Sequence, residues 1–373
     1  MRTDVVVVGL GAFGSAALWR LAARGVRVVG IERQAIGHAF GSSHGTTRLF
    51  RVACMEHPGL TELARKSLAL WTELGERTGE TYVRQTGSLN VGSLTSAPVT
   101  GARKAAAIGA STGDLSHQEL RTRFPQYNLE PGDVAVWDPG AGICYAEPTV
   151  RAQVAEARRL GATVYPHTMV TEIDVRADEV IVRTPTVDIA AEQVVVCAGA
   201  WLGKLVPGLP ATPRRTPLFW FQPADPESEA FRLANFPSFI WELADGRGLW
   251  GHGSDDGFGV KVGLDGGSHR TGFDPDELDR YIHPVADIAE LAAAVGRAFP
   301  GLDPAPVKAI PCMVTDTPDG QFLVGRYDER LVIAGGDNGH GFKHCAGIGE
   351  LLAQVTTKET PFADASFVDP HRF

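Results

Sequence analysis

The chain has 373 residues, enough for roughly two or three domains at about 150 residues each. A net charge of −9 and a pI near 5.7 argue against nucleic acid or an anionic membrane surface as a partner. Five cysteines at irregular spacing, with no CxxC pair, speak against a disulfide framework, an iron–sulfur cluster or a structural zinc site, and no metal is expected. No run reaches the roughly 18 apolar residues of a membrane helix, and the first apolar run is too short for a signal peptide. The expectation is a soluble cytoplasmic protein with reduced thiols.

The chain opens with "DVVVVGLGAFGSAALWRLAARGVRVVGIERQ". Val5 to Val8 are β-branched and uninterrupted, as in a parallel strand buried on both faces. Gly9, Gly11 and Gly14 follow in GxGxxG spacing: the first permits the turn, the second lets backbone approach a pyrophosphate, and the third lets helix pack on strand. A helix from Ala12 to Arg24 points its N-terminal amides at that pyrophosphate. Gly25 ends it, Val26 to Ile31 form a second strand, and Glu32 stands where a carboxylate accepts from ribose hydroxyls. An acid there favours FAD or NAD over NADP.

Pro58 to Leu74 carries apolar residues at helical spacing, with Trp71 as a core residue. A strand-like "GSLNVGS" comes next, then helical stretches at Arg103 to Gly109 and His117 to Phe124, and a helix from Pro148 to Leu160. The following segment alternates in period two about a turn at Arg176 to Asp178, predicting a hairpin and then a buried strand at Val194 to Cys197. Trp201 to Val307, rich in Pro, Gly and aromatics, reads as antiparallel strands. The end returns to strand (Leu331 to Ala334), Gly-rich loop and helix from about Ala346. The fold class is α/β (α+β): a Rossmann-like dinucleotide domain from residues 1–80, 145–200 and 308–373, and a substrate domain with a mixed or antiparallel sheet from 81–144 and 201–307.

Five motifs in order, "VVVVGLGAFGSAALWRLAARG", "HGTTRLFR", "GVKVG", "PCMVTDTPDG" and "AGGDNGHGFKHCAGIGE", run along nearly the whole chain. By them the sequence resembles the bacterial monomeric sarcosine oxidase and N-methyltryptophan oxidase group, within the D-amino-acid-oxidase-like flavoproteins. The resemblance implies FAD, tethered through a cysteine sulfur that falls on Cys312. It implies FAD contacts at Gly9, Gly11, Gly14, Glu32, Arg33, Ser42, Ser43, Val170, Ala198 and Trp201, and at Gly339, His340, Gly341, Phe342 and Lys343. It implies that Arg51 and Lys343 bind the carboxylate of an amine substrate, that Lys261 promotes reaction with O2, and that the protein is a monomer.

Arg48 and Arg51, three residues apart, share a face only if "HGTTRLFR" is helical. Lys261 lies between Val260 and Val262, an odd neighbourhood for a solvated charge; an edge-strand lysine is the bland reading. His340 and His344 lack a third ligand and read as loop residues. The sequence departs from the family at Val314 and Asp265, where tyrosine and histidine are usual, and at Trp250, where sarcosine oxidases have tyrosine. Asp265 reads either as a receiver of a cationic group or as a turn residue. Together these point away from sarcosine and toward a larger secondary amino acid, N-methyl or cyclic, oxidised with O2 as acceptor. The alternatives are an amine dehydrogenase of the same fold and an electron-transfer subunit using another acceptor.

Overall fold

The computed structural model describes residues 1–255, 257, 259–265 and 271–373. Strand β1 (Arg2–Val8) lies parallel to β2 (Val28–Ile31) on one side and to Ile189–Val196 on the other, and α1 (Ala12–Ala22) connects β1 to β2. Val5 to Val8 are all buried, as a strand covered on both faces must be. The far edge of Ile189–Val196 is shared. Its first half pairs with the hairpin Glu172–Val175/Val180–Arg183, and its second half pairs in parallel with Leu331–Gly335. The end of the chain is thereby brought beside its beginning. Helices Ala146–Arg159 and Cys345–Thr357 pack with α1, Leu60–Thr78 packs in turn on Cys345–Thr357, and Glu350 ties the last helix to α1 through Arg20 (2.6 Å) and Arg24 (2.9 Å).

A second sheet runs Lys308–Ile310, Leu218–Phe221, Val260–Leu264, Gly248–His252, Ser238–Glu242, Ser88–Gly92, Val134–Asp138, Gly113–Leu115. It is a mixed sheet, antiparallel except at one seam, where Ser238–Glu242 runs parallel to Ser88–Gly92. The helix Ala289–Ala298 was not foreseen; it buries Leu291 and Val295 against this sheet. The expected start of the last nucleotide segment at residue 308 falls inside the sheet, since Lys308–Ile310 pairs with Leu218–Phe221.

Strand alternation sorts this sheet into two faces. Phe219, Phe221, Val260, Val262, Phe239 and Trp241 enter a core with Phe236, Tyr127 and Phe299, in which Phe299 meets Tyr127, Phe236 and Phe239 edge-on. The residues between them, Leu218, Trp220, Lys261, His252, Trp250 and Ile240, belong to the opposite face. That face is turned toward the nucleotide sheet. Among the described residues, no helix is long and apolar enough to cross a membrane.

Candidate active site

Between the two sheets lies a cavity of about 1070 Å³. Every sequence-predicted site residue lines it except Gly14, which stands behind the wall. A Cβ on Gly14 would fall on the Gly9 carbonyl oxygen and on the Cys197 side chain, so its missing side chain is what allows α1 to approach the sheet. Gly9 has φ +84°, and a Cβ there would lie 2.6 Å from the Cys197 carbonyl oxygen.

At this end the cavity meets the N-terminus of α1, where Ala12 N–H donates to Ser43 Oγ at 2.9 Å. Buried Glu32 accepts from the Leu10 amide (2.8 Å) and the Gln34 amide (2.9 Å), with His38 Nε2 at 3.2 Å. Burial would lift this carboxyl, but His38 and the two amides outweigh it and hold it below its ordinary range. Those three donors occupy three of about four acceptor positions of the carboxylate, leaving one for a ribose hydroxyl. Arg33 and Trp201 form a rim: both reach Asp276, and the guanidinium lies over the indole. Val170 and Ala198, half-buried, complete the wall.

At the other end the side chains dominate. "TRLF" is a strand, β3 (Thr47–Phe50), not a helix, so the helical condition for Arg48 and Arg51 is not met. Both still reach the cavity, because Arg51 lies just past the end of β3, free of the strand's alternation. Buried Arg51 pairs with Glu56 (Nη2 to Oε1, 2.5 Å), and Lys343 donates to the same Oε1 at 3.2 Å and to the His340 carbonyl at 3.1 Å. Burial would raise Glu56, yet Arg51 and Lys343 keep its carboxyl well below the usual range. Arg51 Nε and Nη1 are buried without a hydrogen-bond partner. Two cations that hold one internal carboxylate and keep donors in reserve are suited to an incoming carboxylate.

Cys312 is 2% exposed, packs with Leu218 and Trp220, and has Arg48 Nη2 at 3.9 Å from its sulfur. Burial raises its thiol pKa, while Arg48 and Lys261 pull the other way. Lys261 is 1% exposed and is no edge-strand lysine: its strand is paired on both sides. Its ammonium donates to the carbonyls of Gly45 and Thr47, each at 2.8 Å, and lies over Trp220. Burial, then Arg48, push its pKa well below the ordinary lysine value.

Trp250 donates from Nε1 to Asp265 Oδ1 at 3.1 Å, and its indole lies across Gly263, where a Cβ would strike the ring. Asp265 is thus an exposed turn residue at a strand end and a cavity residue at once. The loop Gly339 to Lys343 is set by Asp337, which accepts from the amides of Gly339 (3.0 Å) and Thr315 (3.2 Å) and so stitches the loop to the strand after Cys312. Phe342 stacks on Trp71, and His340 lies tilted against Phe322. Glu56, His252 and Asp337 were missed from sequence; only "LWGHG", with His252 two residues after Trp250, carried a local signal.

The residues present fit FAD: a glycine cradle at a helix N-terminus, an acid for a ribose, a cavity long enough to pass from it to a buried cysteine, and a dry cationic end. Comparison with known proteins agrees. The family model "FAD dependent oxidoreductase" matches residues 4–355. The chain is 34% identical to monomeric sarcosine oxidase of Streptomyces avermitilis over 99% of this chain and 97% of that protein. It is 28% identical to N-methyl-L-tryptophan oxidase of Yersinia pestis over the full length of both. Among solved structures, NikD, described as an unusual amino acid oxidase essential for nikkomycin biosynthesis, superposes with TM-score 0.85 at 23% identity, covering 99% of this chain and 97% of that one. The chain therefore belongs to the FAD-dependent oxidoreductase family and, within it, to the monomeric sarcosine oxidase and N-methyltryptophan oxidase group, as an FAD-dependent enzyme acting on a CH–NH bond.

Proposed function

We propose that this protein oxidises a secondary amino acid, N-methyl or cyclic, with O2: the amine and O2 give the imine and H2O2. The observation that carries this reading is the single cavity joining the Glu32 cradle to the Arg51/Lys343 pair, with Cys312 and Lys261 along its length. FAD, when bound, supplies the hydride acceptor and passes two electrons to O2. Cys312 is the proposed tether for its ring, since the thiol lies in the cavity wall, where Arg48 and Lys261 oppose the rise that burial imposes on its pKa. Gly9, Gly11, Ser43, Glu32 and the rim pair Arg33/Trp201 hold the nucleotide. Gly339 to Phe342 face the ring.

Arg51 and Lys343 grip the substrate carboxylate in place of Glu56, which orients the amine carbon. Lys261, with Arg48 nearby, offers fixed positive charge where O2 gains electrons, in a site dry enough for that charge to count. Trp250, Ile240, Val314 and Asp265 shape the side-chain pocket. The smaller Val314 and the Trp250–Asp265 pair support a substrate larger than sarcosine. The enzyme acts as a cytoplasmic monomer.

The test is the visible spectrum during anaerobic addition of N-methyl amino acids, proline, pipecolate and primary amino acids. Bleaching by a secondary amino acid, reversed by air, is expected, and colour that stays with the denatured chain would mark the covalent link. Lys261→Met should still bleach and recolour far more slowly. Bleaching that air does not reverse would move the reading to a dehydrogenase.

A further inference from the structure

One cross-strand row on the cavity face of the second sheet reads Trp220, Lys261, His252, each directly opposite the next. His252 is 3% exposed, and both its ring nitrogens are engaged. Nδ1 lies 2.7 Å from the Gly253 carbonyl oxygen and Nε2 lies 2.7 Å from Thr47 Oγ1. A carbonyl oxygen can only accept, so Nδ1 carries the proton. The ring is neutral: burial first, then Lys261 opposite it, bring its pKa down to about 3. Nε2 is then a lone pair, and the Thr47 hydroxyl must donate to it.

Thr47 is thus held at both its polar groups. Its hydroxyl is fixed by His252, and its carbonyl accepts from Lys261 Nζ and from Arg48 Nη1, each at 2.8 Å. Gly45, two residues earlier, accepts the second ammonium proton at 2.8 Å. An ammonium has three protons, so one is left, with the Trp220 ring beneath it and the cavity that Lys261 lines before it. If Thr47 turned, the carbonyl that aims this third proton would move with it. A neutral imidazole does this without placing a third positive charge beside Lys261 and Arg48, which an imidazolium would do.

We propose that His252, as its Nδ1–H tautomer, is a positioning residue for the oxygen half of the reaction: it clamps the Thr47 hydroxyl so that the Thr47 carbonyl holds the Lys261 ammonium with one N–H directed into the cavity. This rests on the reading of Lys261 as the oxygen-side cation. It assigns to His252 no contact with substrate and no change of charge during turnover.

Two measurements on the holoenzyme test it. In ¹⁵N spectra, with His252 assigned by its loss in His252→Gln, Nδ1 should be protonated and Nε2 should be an acceptor, and Thr47→Val should shift Nε2 far more than Nδ1. A proton on Nε2, or a charged ring at neutral pH, would overturn the proposal. In rapid mixing, His252→Leu and Thr47→Val should leave anaerobic flavin reduction within about two-fold and slow reoxidation roughly ten-fold, the loss expected for one buried hydrogen bond. His252→Gln keeps an acceptor toward Thr47 and should recover most of that rate. Equal losses in both half-reactions would make the role merely structural and end the proposal. Normal reoxidation in Thr47→Val and His252→Leu, with slow reoxidation in Lys261→Met, would refute the clamp while sparing the lysine. Normal reoxidation in Lys261→Met would remove both. If His252→Leu does not fold, Thr47→Val and His252→Gln carry the same comparison.

Discussion

The two ends of the cavity are built by different means. At the nucleotide end the cradle is mostly main chain, Gly9, Gly11, the first amides of α1 and one carboxylate, all within the first βαβ unit, with Val170, Ala198 and the Arg33/Trp201 rim around it. At the reaction end it is side chain, contributed by β3 and its loop, by four strands of the second sheet, by Cys312 and by the loop ending at Lys343. A backbone cradle is compact in sequence and intolerant of added atoms. A side-chain site is scattered in sequence, and each member tolerates change to the degree that its neighbours can compensate.

The sharpest way to break the first is Gly14→Val. The added atoms would have to occupy the space of the Gly9 carbonyl and the Cys197 side chain, and neither is a flexible chain end. We expect loss of bound flavin, read as the ratio of visible to ultraviolet absorbance, with misfolding in much of the product. A variant that stays yellow and stable would mean that α1 can withdraw from the sheet, which its packing against the helices Ala146–Arg159 and Cys345–Thr357 opposes.

At the reaction end the largest single effect should come from Arg51→Gln. It removes a buried cation from Glu56 and from the incoming carboxylate together, at a cost of about 3 kcal/mol, or roughly 100-fold in kcat/KM. Glu56→Gln should act in the opposite direction. Glu56 holds the two cations in the absence of substrate, so neutralising it should lower KM a few-fold with kcat little changed. Steady-state kinetics on the preferred amine separate the outcomes, and a raised KM in Glu56→Gln would show that the carboxylate helps bind substrate rather than competing with it.

What the sequence disclosed follows the same division. The glycine spacing, the strand Val5 to Val8 and the terminal acid are local patterns, and they lie where the pattern placed them. The partnership of Lys343 with Glu56 spans 287 positions, and no spacing announces it. Trp250, His252 and Lys261 become neighbours only through antiparallel register, and alternation shows which residues share a face without showing which strand lies alongside. Arg48 and Arg51 converge because a strand ends between them, an event invisible to a rule that compares helix with strand. The helix Ala289–Ala298 was hidden in a stretch whose composition spoke for strands. Asp265 and Val314 were visible as departures from the family before their place in the cavity was known.

Acid should distinguish the two ends. His44 and His252, both buried near Lys261 and Arg48, have pKa values brought down to about 3, chiefly by burial. The unfolded chain takes up protons near the ordinary value of 6.5 and the folded one does not, so stability falls as pH drops below about 6.5. On the nucleotide side, where the last helix meets the C-terminal end of α1 away from the cavity, burial would raise Glu350, but Arg24 and Arg20 bring it down to about 2. Its contribution is complete above its ordinary value of 4.5 and is lost only as pH falls from there toward 2. Between pH 6.5 and 4.5 the melting temperature should therefore decline mainly on account of the reaction end. His252→Gln, which has no proton to exclude, should show a shallower decline over that window, and an unchanged slope would mean that His252 is not held neutral by the fold.

The smallest expected effect concerns the mouth of the reaction end. Trp250→Phe keeps a ring over Gly263 and removes only the N–H that meets Asp265. That hydrogen bond joins a half-buried indole to an exposed carboxylate, so water can replace it at a cost below about 1 kcal/mol. Affinity for a substrate with an apolar side chain should change by no more than about three-fold. If the Trp250–Asp265 pair instead reads a polar group on the substrate, the variant should discriminate: KM for that compound rises by more than ten-fold while KM for its apolar analogue does not. Comparing the two substrates on one variant thus decides whether the mouth selects by shape, as the cradle does, or by the paired charges that govern the pocket beneath it.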